Sequence, residues 1–194
     1  MTTFANLSPE MQAKAIEITR DRENNCGDNN FAEFVIGDLK EECENIGIGD
    51  VEARWDVSYC QGSGASFVSN HFDDLEKVMR HFKIWSKYRM LHDHIRIKNI
   101  EAMLVSTCHR YNHYNTVGLE CEIDYYADRT DKQEAKCEEL QEELLELLRE
   151  RMRVLHRDLE AAYENTQTDE YIKELIEAND WEFETCEYET LEFM

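Results

Sequence analysis

Between Val51 and Tyr59 apolar and polar residues alternate without a break. Val51, Ala53, Trp55, Val57 and Tyr59 are separated by Glu52, Arg54, Asp56 and Ser58. A period of two puts one set on each side of a pleated strand, so this segment must bury one face and expose the other. On both sides the period is helical. Upstream, Phe31, Phe34, Val35, Leu39 and Cys43 recur at spacings of three and four. Downstream, from Asp131, Cys137, Leu140, Leu144, Leu147, Leu148, Val154, Leu155 and Leu159 make one apolar stripe about eight turns long. A chain whose period changes from 3.6 to 2 and back again is of mixed class.

The remaining elements fill in around that frame. Ser8-Pro9 marks the start of a first helix, with Met11, Ala15, Ile16 and Ile18 on its apolar side and an end near Asn24-Asn25. Asp28 or Asn29 can cap the second helix, and Gly47 and Gly49 end it. Cys60-Gln61-Gly62-Ser63-Gly64 interrupts the alternation, and Ala65-Ser66-Phe67-Val68 resumes it, which predicts a hairpin. Asp73 can cap a third helix carrying Leu75, Val78, Met79, Phe82, Ile84 and Trp85. A basic stretch follows, from Lys83 to Lys98, with His92 and His94 inside it. Ile100 to His109 and Tyr114 to Tyr125 read as two further strands, forming a second hairpin that pairs with the first. Thr168 can cap a short last helix that runs to about Asn179. The expected fold is α+β: a small antiparallel sheet of two hairpins packed with helices, one of them long and C-terminal. Residues 1–194 read as a single α+β domain with an acidic C-terminal helix and tail.

Charge limits the partners. The chain has 194 residues and a formal net charge of −22. Phosphate repulsion opposes direct binding to nucleic acid. Ten Asp and Glu residues stand against Lys173 alone from Thr168 to Met194. This face either solvates the protein or meets a basic partner, a host protein that itself binds nucleic acid being one such partner. Asp169, Glu170, Glu174, Glu177, Asp180 and Glu182 are the partner-binding candidates. The exposed side of the long helix leaves room for a homodimer. No apolar run reaches the roughly 20 residues of a membrane helix, so no membrane partner is expected. The N-terminus has no basic and apolar leader. Seven cysteines at irregular spacings read as reduced thiols, not as a disulfide framework.

Two polar segments could carry chemistry. In Gln61-Gly62-Ser63-Gly64-Ala65-Ser66 the glycines allow backbone N–H groups to approach an anion, and Ser63 and Ser66 add hydroxyls. The alternative is a tight turn in which glycine supplies positive φ. In the segment from Thr107 to Asn115, His109 and His113 would share one face of a strand, with Arg110 beside them. They could bind phosphate or exchange protons on a phosphoester, or they could simply close the sheet. The ligand-binding candidates are therefore Gln61, Gly62, Ser63, Gly64, Ser66, His109, Arg110 and His113. A zinc site would need a third ligand such as Cys60, His92 or His94, and no spacing supplies one, so neither metal nor cofactor is expected. With no P-loop, HExxH or Ser-His-Asp order, the residues favour a binding module over an enzyme.

Three segments together resemble a family of small tailed-bacteriophage proteins labelled antitoxin-like. They are Asp56 to Phe67, similar to a QGDGASF-type motif, the segment from His109 to Asn115, and the ending from Leu159 to Phe183. Ser63 stands where that motif has an acid. The resemblance implies a phage origin and a host bacterial cytoplasm, and the family carries no established activity. Together with the charge of −22 and the missing catalytic motifs, it leads to an expected accessory role in which the protein binds and inhibits a host factor, as in counter-defence or toxin neutralisation. A nucleotide- or RNA-binding protein, or a phosphoesterase built on the Gln61–Gly64 turn and the His109–His113 segment, is the alternative.

Overall fold

A computed structural model describes residues 2–26, 30–58, 63–108, 110–185 and 191–193. The helices are α1 (Pro9–Cys26), α2 (Asn30–Ile46), α3 (Leu75–His81), α4 (His92–Arg96), α5 (Asp131–Thr166) and α6 (Asp169–Ala178). The strands are β1 (Thr2–Thr3), β2 (Ile48–Asp56), β3 (Gly64–Phe72), β4 (Ile100–Ser106), β5 (Val117–Ile123), β6 (Glu182–Thr185) and β7 (Leu191–Phe193). The chain forms two compact units. One comprises residues 1–33 with 161–194, and the other comprises residues 34–160.

The larger unit holds the α+β core. Its sheet is antiparallel throughout, in the order β2-β3-β4-β5. The two hairpins are β2–β3, with Asp56 opposite Gly64, and β4–β5, with Ser106 opposite Val117. They join through β3 and β4, where Ser69 faces Leu104. The alternation in β5 is strict: Val117, Leu119, Cys121 and Ile123 are buried, and Glu120 and Glu122 are exposed. α5 lies against this strand. The Cys121 N–H donates to Gln141 Oε1 at 3.2 Å, and Arg149 donates to the Val117 carbonyl at 2.9 Å.

The buried stripe of α5 is Cys137, Leu140, Leu144, Leu148, Met152, Leu155 and Leu159. Met152 replaces two residues expected there, since Leu147 and Val154 are only half-buried. Spacings of three and four keep this stripe in line over the helix, and each fully buried Leu stabilises by about 1.5–3 kcal/mol. Arg151 pairs with Glu42 of α2.

Other boundaries have local causes, the end of α2 as expected and the cap of α3 one residue later. α2 ends at Gly47, whose φ of +94° is costly for a residue with a side chain. The Asp74 N–H then donates to the Gly47 carbonyl at 3.2 Å. Asp74, not Asp73, caps α3 by accepting from the Lys77 N–H at 2.9 Å. α3 stops at His81, and Trp85–Leu91 is a 3-10 turn leading into α4. Part of the basic stretch is engaged within the fold, while Lys83, Arg89 and Lys98 are exposed. His92 stacks on Trp85 at 3.6 Å, Arg96 pairs with Glu76, and Lys87 pairs with Glu143.

The smaller unit has its own sheet, β1-β6-β7, which the sequence pattern did not indicate. The acidic, aromatic tail is therefore structured at its start. Phe183 is 1% exposed and packs with Phe4, Ala15, Ile172 and Ile176. Thr168 caps α6 as expected, accepting from the Tyr171 N–H at 3.2 Å. Arg20 of α1 donates to the Gln167 carbonyl at 3.1 Å and pairs with Asp169.

Among the described residues no helix is long and apolar enough to cross a membrane. Cys43, Cys108, Cys121 and Cys137 are free.

Candidate functional site

Where β2 ends, Ser63 folds back on it. Its hydroxyl donates to the Asp56 carbonyl at 2.8 Å, which closes the β2–β3 connection just before Gly64 enters β3. Asp56 is held in turn by the Ser58 N–H at 2.8 Å. Those Ser58 hydrogen bonds hold its carboxyl below the usual range, and His156 adds to the effect.

The second hairpin brings its connection to the same place. β4 ends at Ser106, short of the predicted His109, so His113 does not sit on a strand. It precedes a 3-10 turn, Tyr114–Thr116, and its Nδ1 accepts from the Asn115 N–H at 3.1 Å. Asn112 donates to the Trp55 carbonyl at 3.0 Å and ties this connection to β2. The result is direct contact between the two predicted segments. A β-carbon on Gly64 would stand 3.0 Å from Cα of His113, so only glycine fits unstrained.

α5 completes the site. Ser63, Gly64, Ala65, His113, Tyr114, Glu150, Arg153, His156 and Arg157 line one cavity of about 360 Å³. His156 Nε2 stands 3.3 Å from Ser63 Oγ, and its Nδ1 stands 3.7 Å from Glu160 Oε2. Arg153 is held by Glu146 at 2.9 Å and by Glu150 at 2.7 Å, with its guanidinium 4.2 Å from the centre of the Tyr114 ring. Those partners raise its proton affinity further. Arg157 is exposed and has no carboxylate partner among the described residues. His113 has the opposite character. Burial, then the charges of His156 and Arg153, hold its imidazole below the ordinary value of 6.5.

Hydrogen-bond bookkeeping assigns the protons. Because Ser63 gives its only hydrogen to the Asp56 carbonyl, it meets His156 as an acceptor, and His156 Nε2 is the donor. His113 Nδ1 is an acceptor, so the neutral ring carries its proton on Nε2. Ser63, His156 and Glu160 lie in the order of a nucleophile relay, yet the Ser63 proton points away from the base. What remains at the cavity is the His113 Nε2–H and the Arg157 guanidinium, beside an Arg153 already fixed by two carboxylates, a set that suits holding an anion.

The sequence candidates divide accordingly. Ser63, Gly64 and His113 meet in the cavity. Ser66 is buried in β3 and does not line it. Arg110 is exposed, with its guanidinium 5.5 Å from the Tyr111 ring, and does not line it either. Gln61, Gly62 and His109 lie outside the described residues, as does Cys60. Arg153, His156 and Arg157 were not among the candidates. Their spacing of three and four on a helix was the available signal, and it reads equally as a solvated face. Among the described residues no three His, Cys, Asp or Glu side chains converge to hold a metal ion. The acidic candidates Asp169, Glu170, Glu174, Glu177, Asp180 and Glu182 are all exposed, with Asp169 paired to Arg20 and Glu177 to Lys173.

No curated protein and no solved structure matches the chain. A family profile, described as Domain of unknown function (DUF8835), matches residues 31–169. That span covers both hairpins, all of α5 and every residue lining the cavity. The chain belongs to the DUF8835 family of domains of unknown function.

Proposed function

We propose that the protein binds a small phosphate ester in the cavity between Ser63, His113 and α5. The observation that carries this reading is the convergence of His113, Arg153, His156 and Arg157 on one cavity in a chain of net charge −22. Acidic residues dominate the rest of the surface, whereas the cavity lining sets two guanidinium groups, Arg153 and Arg157, against the single carboxylate of Glu150, so an anion is better placed here than elsewhere. The volume of about 360 Å³ lies within the range of small-ligand sites and suits a group the size of a nucleoside monophosphate. Arg157 has no carboxylate partner among the described residues, Arg153 is held in place by Glu146 and Glu150, and the His113 Nε2–H supplies a directed hydrogen bond. The committed Ser63 proton favours binding over ester cleavage. Titration with inorganic phosphate and with a nucleoside monophosphate, followed by the imidazole resonances of His113 and His156, tests the proposal. Shifts that saturate and weaken with salt support it. Resonances unmoved by either probe at millimolar concentration overturn it.

A second reading rests on the exposed acidic row at the C-terminal end. Glu170, Glu174 and Glu177 repeat at four and three residues and so share one face of α6. This face suits a basic partner, and the phage resemblance names the kind: a host factor inhibited in the bacterial cytoplasm, in an antitoxin-like or counter-defence role. Reversing the three charges (Glu170→Lys, Glu174→Lys and Glu177→Lys together) should abolish salt-sensitive capture of a basic host protein. Capture that persists counts against this reading.

A further inference from the structure

We propose that Cys121 and Cys137 form an oxidisable thiol pair that a small neutral peroxide closes into a disulfide joining β5 to α5. The two Sγ atoms lie 3.9 Å apart, and the Cys137 thiol also donates to the Cys121 carbonyl at 3.3 Å. A disulfide needs about 2.05 Å between sulfurs, so the pair must approach by about 2 Å, which side-chain rotation can supply. The strand and helix that carry them are already joined by the Cys121 N–H to Gln141 and by Arg149 to the Val117 carbonyl. Both thiols are 4% exposed. They share a cavity of about 440 Å³ that also holds Arg129, Glu122, Glu134 and Glu138.

The surroundings select the oxidant. The charges of Glu122 and Glu138 act on the pair, Glu134 being bridged to Arg129, which disfavours an anionic disulfide such as oxidised glutathione, and the narrow exposure favours a molecule of few atoms. Hydrogen peroxide meets both conditions. Cys137 is the group that reacts first. Its ionised form accepts a hydrogen bond from the Cys121 thiol, which lowers its proton affinity, whereas that same donation and then burial raise the affinity of Cys121. The Cys137 sulfur attacks one peroxide oxygen. The O–O bond breaks, and the departing hydroxide takes the thiol proton as water, leaving a sulfenic acid on Cys137. The Cys121 sulfur then attacks the Cys137 sulfur. The S–O bond breaks, and a second hydroxide leaves with the Cys121 proton as water. Two thiols are oxidised by two electrons, and one peroxide becomes two waters.

The test is peptide mapping of the intact protein after treatment with hydrogen peroxide and quenching with an alkylating agent under denaturing conditions. Expected is the loss of two alkylatable thiols and a crosslinked peptide joining Cys121 to Cys137, reversed by dithiothreitol. In Cys121→Ser the second step is blocked, and dimedone should label Cys137. The wild-type mapping stands without any variant. The proposal is overturned if both thiols remain alkylatable, if the crosslink joins other cysteines, or if Cys137 takes up oxygen without closing the pair.

Discussion

Gly64 and His113 are in backbone contact: a β-carbon on Gly64 would approach the His113 Cα to 3.0 Å and its Cδ2 to 3.2 Å. The near atom belongs to the main chain and cannot rotate away. Gly64→Ala must therefore push the connection that carries His113 off β3. A loss of about 1–3 kcal/mol is expected, as for an overpacked site. Urea unfolding measures it, and phosphate-ester affinity should fall with it.

Arg157 separates binding from stability. It is exposed and holds no carboxylate among the described residues, so Arg157→Gln should leave the unfolding free energy within about 0.5 kcal/mol of the wild type. The loss of one charge-assisted hydrogen bond should weaken a phosphate ester about tenfold. Arg153→Gln should lower both, because its guanidinium joins Glu146, Glu150 and the Tyr114 ring. Calorimetric titration beside urea unfolding distinguishes the two.

His113 makes the fold sensitive to acid in a predictable direction. Burial, His156 and Arg153 hold its proton affinity below the ordinary 6.5 in the folded state. The unfolded chain takes up this proton at the ordinary value, and the folded chain does so only at lower pH. Stability is thus whole above 6.5 and declines as pH falls below it. His113→Gln removes that decline. Unfolding measured between about pH 7.5 and 5.5 should show the variant gaining on the wild type only in the acid half. A difference that is constant across the range would exclude His113 as the source.

Leu144 lies midway along the α5 stripe and is 0% exposed. Leu144→Ala should cost about 2–5 kcal/mol, the transfer term plus the cavity left behind. Thr168→Ala should cost about 1 kcal/mol through loss of the α6 cap. Thermal unfolding of each variant checks both values.

Several elements were legible because local rules suffice for them. The α5 stripe, the strict alternation of β5 and the Thr168 cap each depend on spacing within a few residues. Met152 shows the limit: Leu147 and Val154 looked better as core residues, yet the helix phase turns them half outward and brings Met152 in. The end of β4 also escaped the pattern, because Thr107 and Thr116 bond the connection into a fold of its own. The site was half visible. Ser63, Gly64 and His113 stood out as unusual residues in polar turns. His156 and Arg157 did not, since an i,i+3/i+4 group on a glutamate-rich helix looks like any solvated face.

By itself the sequence determined the class of each element, the pairing of two hairpins and the acidic balance, since these follow from hydrophobic period and composition. Tertiary structure alone decided that the Gly64 turn meets the His113 connection, that α5 delivers Arg153, His156 and Arg157 to the same cavity, and that the C-terminal tail supplies two strands. Those relationships link residues that are distant along the chain. Their physical basis is side-chain packing and hydrogen bonding across elements, which no local period encodes.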